Sequence, residues 1–433
     1  MNNWKQSLQA ILWIVIIIVG AFRYFGPIHS QGWPAAVSPN APAPLRVLGE
    51  AVRVGDFLYI EGDWMNPFNT LPTGPTADIA PGFPALVAAV DRAFGDEARG
   101  TYALEMTEAT VLLAQIALIP VVMQALGTSL LTGLIASLIA VFSVRRVWTW
   151  EANYVGLLLL VATFLACRYY RATLDTGTRT GLLRSPAGIA VLLGGVWSAI
   201  LLTGPSAGSV WLTWIVLGAW LSRRHGRPYA WIPALLVPVI LLAPWEFRNY
   251  KVFHTIIPVR SPLGLELRVS NNPCAKVTLW ETINMHCYPH PDSDIAEAQK
   301  FLAVGEVAYN RQEMREAVGW VRANPRQALV LWRKRFLLFW LPRPEDRIAA
   351  WTIDLATALS LVGLFVLARA NRPGAVLCSV FLVVYPLVYY LSLALDRYRY
   401  PILWVTSGLA AVGCSALLQW AFQRKRFGEL HAG

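Results

Sequence analysis

The sequence predicts an all-α polytopic membrane protein with about 10 transmembrane helices and two long extracytoplasmic loops that carry short amphipathic helices. Three observations predict this class. Hydrophobic residues make up 56% of the 433 residues and charged residues 15%, whereas soluble proteins have roughly 45–50% and about 25%. Several apolar runs are close in length to the roughly 20 residues that a helix needs to span a bilayer. The net charge is +11, and its excess lies in short connections between these runs.

The predicted spans set the orientation of the chain. They are 8–22, 104–126, 128–144, 151–167, 186–204, 208–222, 229–245, 350–368, 373–394 and 399–422. The first could instead be the apolar region of a signal peptide. With the N-terminus inside, the inside connections carry Arg168, Arg171, Arg179, Arg184, Arg223, Arg224, Arg227, Arg369 and Arg372. This bias predicts cytoplasmic N- and C-termini and explains the basic charge without nucleic acid. Arg145 and Arg146 are the exception, because they fall outside.

The same pattern divides the chain into five regions. Residues 1–25 are the first transmembrane helix, 26–100 a first extracytoplasmic loop with a catalytic acid, 101–246 helices 2–7, 247–349 a second extracytoplasmic loop, and 350–433 helices 8–10 with a basic tail. Loops of this length are uncommon unless they are functional. Short helices are expected within them at 83–94, 295–320 and 325–341.

Carboxylates in the first loop are candidates for a general base. Glu50 is the first candidate and Asp78 the second, since either would lie just above the membrane. A carboxylate there can take a proton from an acceptor hydroxyl or amine. The alternative for each is a solvated acidic loop.

The second loop opens with polar residues that suit a phosphorylated lipid. Arg248 and Arg260 are the informative ones, because guanidinium matches phosphate oxygens in a bidentate fork. The alternative is an interfacial arginine that only reaches towards the headgroups. Further binding candidates in this region are Asn249, Glu266, Asn271 and Asn272, of which the last two could equally cap a turn.

A polar interruption between the last two spans is the third feature. Arg397, Tyr398, Arg399 and Tyr400 break apolar sequence there, and ionisable residues at such depth usually mark a site. On a helix the two arginines would face nearly opposite sides. One is therefore expected to bind phosphate while the other is structural.

The cysteines and histidines add less. Cys274 and Cys287 lie thirteen positions apart in the second loop, where an oxidising compartment would allow a disulfide. His286, His290, Asp292 and Asp294 resemble metal ligands, but Pro289 and Pro291 interrupt any regular helix. We predict no metal site, the sequence makes no cofactor certain, and it gives no support for a divalent metal.

Together these pieces resemble the GT-C superfamily of membrane glycosyltransferases, in particular the family 39, protein-mannosyltransferase-like branch of bacteria. The similar segments, in chain order, are Asn66–Phe68, Thr73–Ala77, Ala80–Pro84, Trp148–Glu151, Pro244–Asn249, Pro258–Ser261, Gly264–Leu267, Asn271–Pro273, His290–Pro291, Gly305–Tyr309, Arg335–Trp340 and Tyr385–Pro401. Asp78 departs from the resemblance, because members often have His or Trp there.

The resemblance implies a function. A sugar would move from a polyprenyl-phosphate donor to an acceptor outside the cytoplasmic membrane, with inversion at the anomeric carbon. The acceptor would be lipid A, a polysaccharide or a protein, and Glu50 matches the family's base best. Arg248, Arg260, Arg397 and Arg399 match the arginines that hold the lipid phosphate. The rivals are a glycan transporter or flippase, an O-antigen polymerase or ligase, and a non-catalytic scaffold.

Overall fold

A computed structural model of the chain describes residues 3–30, 75–94, 97–144, 151–175, 181–278, 281–282, 287–291, 294–341 and 347–431. Its α-helices are α1 Asn3–Ser30, α2 Gly82–Phe94, α3 Glu97–Ala125, α4 Leu130–Ser143, α5 Ala152–Leu174, α6 Pro186–Thr203, α7 Gly208–Arg224, α8 Ile232–Phe253, α9 Leu263–Ser270, α10 Ile295–Val304, α11 Glu306–Ala323, α12 Pro325–Trp340, α13 Arg347–Ala370, α14 Arg372–Val383, α15 Leu387–Leu391 and α16 Leu403–His431. Short 3₁₀ helices occupy Pro205–Ala207 and Asp396–Ile402.

Eight segments of the described chain are helical, long and apolar enough to cross a membrane, which confirms the all-α polytopic class. They are Trp4–His29, Tyr102–Ala125, Ala152–Leu174, Pro186–Thr203, Ile232–Phe253, Ala350–Ala370, Arg372–Leu391 and Arg397–Ala421. The other two predicted spans fall on α4, which has only 14 residues, and on α7, which has 17 and ends in two arginines. The number of ten crossings therefore stays a prediction.

Aromatic rings and close backbone approaches pack the bundle. Trp197, Trp214, Phe381 and Trp404 come from four helices, and successive rings meet edge to face with centroids 5.4–5.5 Å apart. Helices α13 and α16 touch at Gly363, where an added Cβ would lie 1.7 Å from a backbone carbonyl oxygen of α16. Glycine is required at this crossing because any side chain would separate the helices.

The short basic connections meet at one end of the bundle, which we call the basic end. The side chain of Arg171 donates to the carbonyl oxygen of Ala125 at 2.7 Å, and that of Asn371 donates to Leu126 at the same distance. Arg227 donates to Asp175, which follows α5. Since α5 has 23 residues and rises about 1.5 Å per residue, its first residues lie roughly 34 Å away. That opposite end is called the site end.

Two elements differ from prediction. The expected helix 295–320 is two helices, α10 and α11, because Gly305 has φ 85° and ends the first. The expected span 373–394 is interrupted around Pro386, where α14 gives way to the short α15. Proline removes a helical hydrogen bond, and after this break Tyr389 of α15 stacks on Tyr398, which precedes α16.

Candidate active site

Two segments that lie far apart in the chain, one before α2 and one after α8, dock onto each other at the site end. Arg248, in the last turns of α8, donates from Nη1 to the carbonyl oxygen of Thr76 at 2.9 Å. Arg260 donates from Nε to the carbonyl oxygen of Asp78 at 3.0 Å, and the backbone N–H of Ser261 donates to that of Ala77 at 2.8 Å. The structure thus brings Asp78 together with two of the predicted arginines, although about 170–180 positions separate them.

A left-handed residue aims the chain before Arg260. Val259 has φ 68°, a conformation in which a β-branched residue is strained. Its N–H donates to Glu246 Oε1 at 2.7 Å, and its carbonyl oxygen accepts from Trp245 Nε1 at 2.7 Å. Both partners lie on α8, so the helix fixes the turn that presents Arg260. The sequence shows Trp245 and Glu246 side by side, but no local pattern predicts the left-handed conformation of Val259.

Carboxylates surround Arg260. Its guanidinium lies 3.7 Å from Glu266, and the two side chains are 36% and 37% exposed, so solvent still reaches both although protein atoms pack around them. Asp78 is 4% exposed. Burial alone would lower the pKa of Arg260, but Asp78, Glu266 and Glu151 outweigh it and raise that pKa. Burial raises the pKa of Glu266, while Arg260 opposes the shift.

Arg397 and Tyr398 form another wall of this cluster. The guanidinium of Arg397 lies within electrostatic range of Glu151 and Glu266. Tyr398 stacks on Tyr389, with ring centroids 4.4 Å apart and planes 18° from parallel. The predicted polar interruption before α16 therefore reaches the same site as the second-loop residues.

Arg399 faces away from this site. It is 3% exposed, and it donates to the carbonyl oxygen of Trp340 and to Thr357 Oγ1, each at 2.6 Å. Tyr400 lines a small internal cavity with Gln115 and other residues of the bundle. The short 3₁₀ helix turns about 120° per residue, which separates Arg397 from Arg399.

The three predicted asparagines bond within the protein. Asn249 is fully buried and accepts from Arg248 at 2.9 Å. Asn271 donates to the carbonyl oxygen of Leu391 at 2.9 Å, and Asn272 donates to Arg268 at 3.0 Å and accepts from the N–H of Cys274. Their amides thus cap and cross-link backbone, and a direct sugar contact stays a prediction that this geometry does not favour.

Several predicted features lie elsewhere. Glu50 falls outside the described residues, as do Arg145, Arg146, His286 and Asp292. Cys274 and Cys287 form a disulfide with Cα atoms 5.6 Å apart. In the described ranges no group of three or more His, Cys, Asp or Glu side chains could hold a metal ion. Asp294 instead caps α10, accepting from the N–H of Glu297 at 2.9 Å.

Sequence reasoning gave no role to Glu306, which lies beside Asp78 at the start of α11. It is 8% exposed, and burial with the neighbouring charge of Asp78 raises the pKa of its carboxyl, against three hydrogen bonds that lower it. Gly305 precedes this helix and Glu306 lies in its first turn, and both residue types are ordinary at such positions. The local sequence therefore carried no signal for this contact.

Comparison with known proteins identifies the fold. No family model and no curated protein sequence matches the chain. The chain is similar to the oligosaccharyltransferase of Archaeoglobus fulgidus in its apo form, with a TM-score of 0.59 and 11% identity over 99% of this chain and 53% of that chain. The structure of that archaeal enzyme, AglB, in complex with an inhibitory peptide and a dolichol-phosphate gives a TM-score of 0.60 at 11% identity, covering 99% of this chain and 52% of that one. This chain thus spans about half the length of these neighbours and shares their fold, as the predicted GT-C-type fold class expects.

Proposed function

We propose that the protein is an inverting glycosyltransferase that moves a sugar from a polyprenyl-phosphate donor to an extracytoplasmic acceptor. The observation that carries this proposal is the docking of the Asp78 segment onto Arg248 and Arg260 at the end of a membrane bundle. A lipid-linked sugar presents its phosphate at headgroup height, and this cluster offers both fixed cations and carboxylates at a helix-bundle end.

The chemistry follows from these charges. The acceptor hydroxyl or amine attacks the anomeric carbon while the bond from that carbon to the phosphate oxygen breaks. A carboxylate takes the acceptor proton, and the bonding electron pair leaves with polyprenyl phosphate. Arg260 and Arg397 are fixed cations that stabilise the developing phosphate charge. Glu50 and Asp78 are the candidate bases, and Glu266 is placed to orient Arg260.

The solved neighbours support a lipid-phosphate donor. One of them holds a dolichol-phosphate and an inhibitory peptide, and another is tethered to an acceptor peptide. The alternative is a polymerase- or ligase-like enzyme that transfers a whole oligosaccharide from a diphosphate carrier, or a flippase for such carriers. We favour the monophosphate reaction on the resemblance, and the acceptor class stays open among lipid A, polysaccharide and protein.

We further propose that the protein resides in a bacterial inner membrane with the site end towards the periplasm. The gathering of Arg171 and Arg227 at the basic end supports this orientation, because basic loops stay in the cytoplasm. Both termini would then be cytoplasmic.

The test is a donor panel with purified protein in nanodiscs. Radiolabelled sugars on polyprenyl monophosphate and on polyprenyl diphosphate are offered separately with cell-envelope acceptors, and the released lipid is identified. We expect release of polyprenyl monophosphate, lost in Arg260→Ala and kept in Arg311→Ala, whose arginine is exposed and donates to Thr255 Oγ1. Turnover of diphosphate donors alone would contradict the proposal and favour the oligosaccharide alternative.

A further inference from the structure

One carboxylate joins the two extracytoplasmic segments. Glu306 Oε2 accepts from Thr76 Oγ1 at 2.8 Å, and Oε1 accepts from the backbone N–H of Ala77 at 3.0 Å and from the hydroxyl of Ser261. Thr76 and Ala77 lie about 230 positions before Glu306 in the chain, and Ser261 lies 45 before it. Both carboxylate oxygens are therefore used to hold these two segments side by side.

The bonds of Glu306 lead directly to Asp78. Thr76 Oγ1, which donates to Glu306, also accepts from the N–H of Asp78 at 3.0 Å. On the other side, Ser261 follows Arg260, and its N–H bonds the carbonyl oxygen of Ala77. A loss of Glu306 would thus free the turn that carries Asp78 and the residue next to Arg260 together.

Glu306 itself stands on a fixed base. Its carbonyl oxygen accepts from Asn310 Nδ2 at 3.0 Å, and Asn310 Oδ1 accepts from the N–H of Leu265 on α9 at 3.1 Å. Helices α9 and α11 touch at Gly264, where an added Cβ would lie 1.8 Å from the carbonyl oxygen of Asn310. Helix α9 also carries Glu266, so the clamp and the acidic partner of Arg260 share one rigid unit.

We propose that Glu306 is a positioning residue that holds Asp78 against Arg260 for sugar transfer. This inference rests on the proposed glycosyltransferase function and extends it to a residue that does not touch the reacting atoms. The carboxylate acts by fixing the backbone of Thr76–Asp78, and misplacing a reacting group by about 1 Å can cost roughly 100-fold in rate.

The three groups that donate to Glu306 should respond differently to its replacement by glutamine and by alanine. The N–H of Ala77 cannot turn, whereas the hydroxyls of Thr76 and Ser261 can rotate to accept a hydrogen bond. Glu306→Gln keeps one acceptor oxygen for Ala77 and offers an NH₂ group to a hydroxyl, so it retains much of the clamp. Glu306→Ala removes all three bonds. Glu316→Ala is the matched control, since this carboxylate lies on the same helix, is 43% exposed and pairs with Arg268.

Hydrogen–deuterium exchange in nanodiscs measures the clamp without any substrate. In Glu306→Ala we expect the amides of Ala77, Asp78 and Ser261 to exchange at least about 10-fold faster, with α11 unchanged; Glu306→Gln should fall between this variant and the wild type. Glu316→Ala should leave these amides at the wild-type rate. Unchanged exchange at Ala77 in Glu306→Ala would overturn the clamp.

Kinetics then test its catalytic consequence. We expect kcat to fall about 100-fold in Glu306→Ala and about 10-fold or less in Glu306→Gln, with the donor KM within about twofold of wild type in both. A faster-exchanging Ala77 with wild-type kcat would overturn the positioning role while leaving the proposed function intact. Absence of transfer by the wild type would instead reject the function and the positioning role with it, while the exchange experiment still decides the clamp.

Discussion

Arg399 provides a sharp test, because the sequence placed it with Arg397 and the structure separates them. Its guanidinium donates to the carbonyl oxygen of Trp340 and to Thr357 Oγ1, both at 2.6 Å, in a site only 3% exposed. It therefore ties the end of α12 to α13 just before α16 begins. We expect Arg399→Ala to destabilise the fold and to leave donor recognition unchanged.

The magnitude follows from the two short bonds. A hydrogen bond to a charged group contributes about 1.5–3 kcal/mol, so two give about 3–6 kcal/mol. Removing the guanidinium also removes the cost of burying it, and Thr357 Oγ1 can still donate to Trp340 at 3.3 Å. We expect a loss of about 3 kcal/mol, which for a chain of 433 residues lowers the unfolding midpoint by roughly 3 °C.

The assay is thermal unfolding in detergent alongside the donor KM, for Arg399→Ala, Arg399→Lys and Arg397→Ala. Lysine cannot reproduce the planar fork, so Arg399→Lys should lie between wild type and Arg399→Ala in stability. Arg397→Ala should keep the midpoint within about 2 °C of wild type and raise the donor KM at least about 10-fold. The reasoning is refuted if Arg399→Ala unfolds at the wild-type temperature, or if it alone loses donor affinity.

Three further outcomes follow from packing, cross-linking and charge. Gly363→Ala should cost about 1–3 kcal/mol in unfolding free energy, because its new Cβ would meet backbone at 1.7 Å. Gly319→Ala meets no atom within 4 Å inside α11 and should stabilise the fold by about 0.4–1 kcal/mol. Thermal scans compare the two variants. Cys274→Ser should lower the unfolding free energy by about 3 kcal/mol, because it removes the disulfide to Cys287. A reductant should lower the unfolding midpoint of the wild type and leave that of the variant unchanged. An equal effect of the reductant on both proteins would contradict the disulfide. Burial raises the pKa of the Glu313 carboxyl, so its contribution to stability is full below the ordinary glutamate pKa and is lost as pH rises through the raised value. The unfolding midpoint of Glu313→Gln should therefore rise relative to that of the wild type between pH 4 and pH 8. A difference that stays constant with pH would contradict this.

Hydropathy alone predicted the helices that form the bundle. The apolar runs fall on described helices because a segment in a bilayer must satisfy its own backbone hydrogen bonds, so local composition decides the element. The argument that Arg397 and Arg399 face different ways also needed only helical geometry. The same reasoning predicted one continuous helix through Gly305 and missed the boundary there. Glycine ends this helix because its φ is positive, and the sequence does not show which glycines adopt that conformation.

The contacts that assemble the site were beyond reach from the sequence. Glu306, Thr76 and Ser261 meet across as many as 230 positions, and no local pattern records which distant donors a carboxylate will find. Asn271 illustrates the same limit, because whether its amide binds a sugar or the backbone depends on where Leu391 lies. Charge and turn chemistry named Asp78, Arg248 and Arg260, which the structure places near one another; their roles stay predictions.

The central claim is that the cluster around Asp78 and Arg260 transfers a sugar from polyprenyl phosphate. Single-turnover transfer by purified protein, with wild type, Asp78→Asn and Glu50→Gln measured side by side, tests it most directly. The account predicts release of polyprenyl phosphate by the wild type and a fall of about 100-fold or more in the variant that lacks the base. Absence of release from every monophosphate donor, or wild-type rates in both variants, would contradict it.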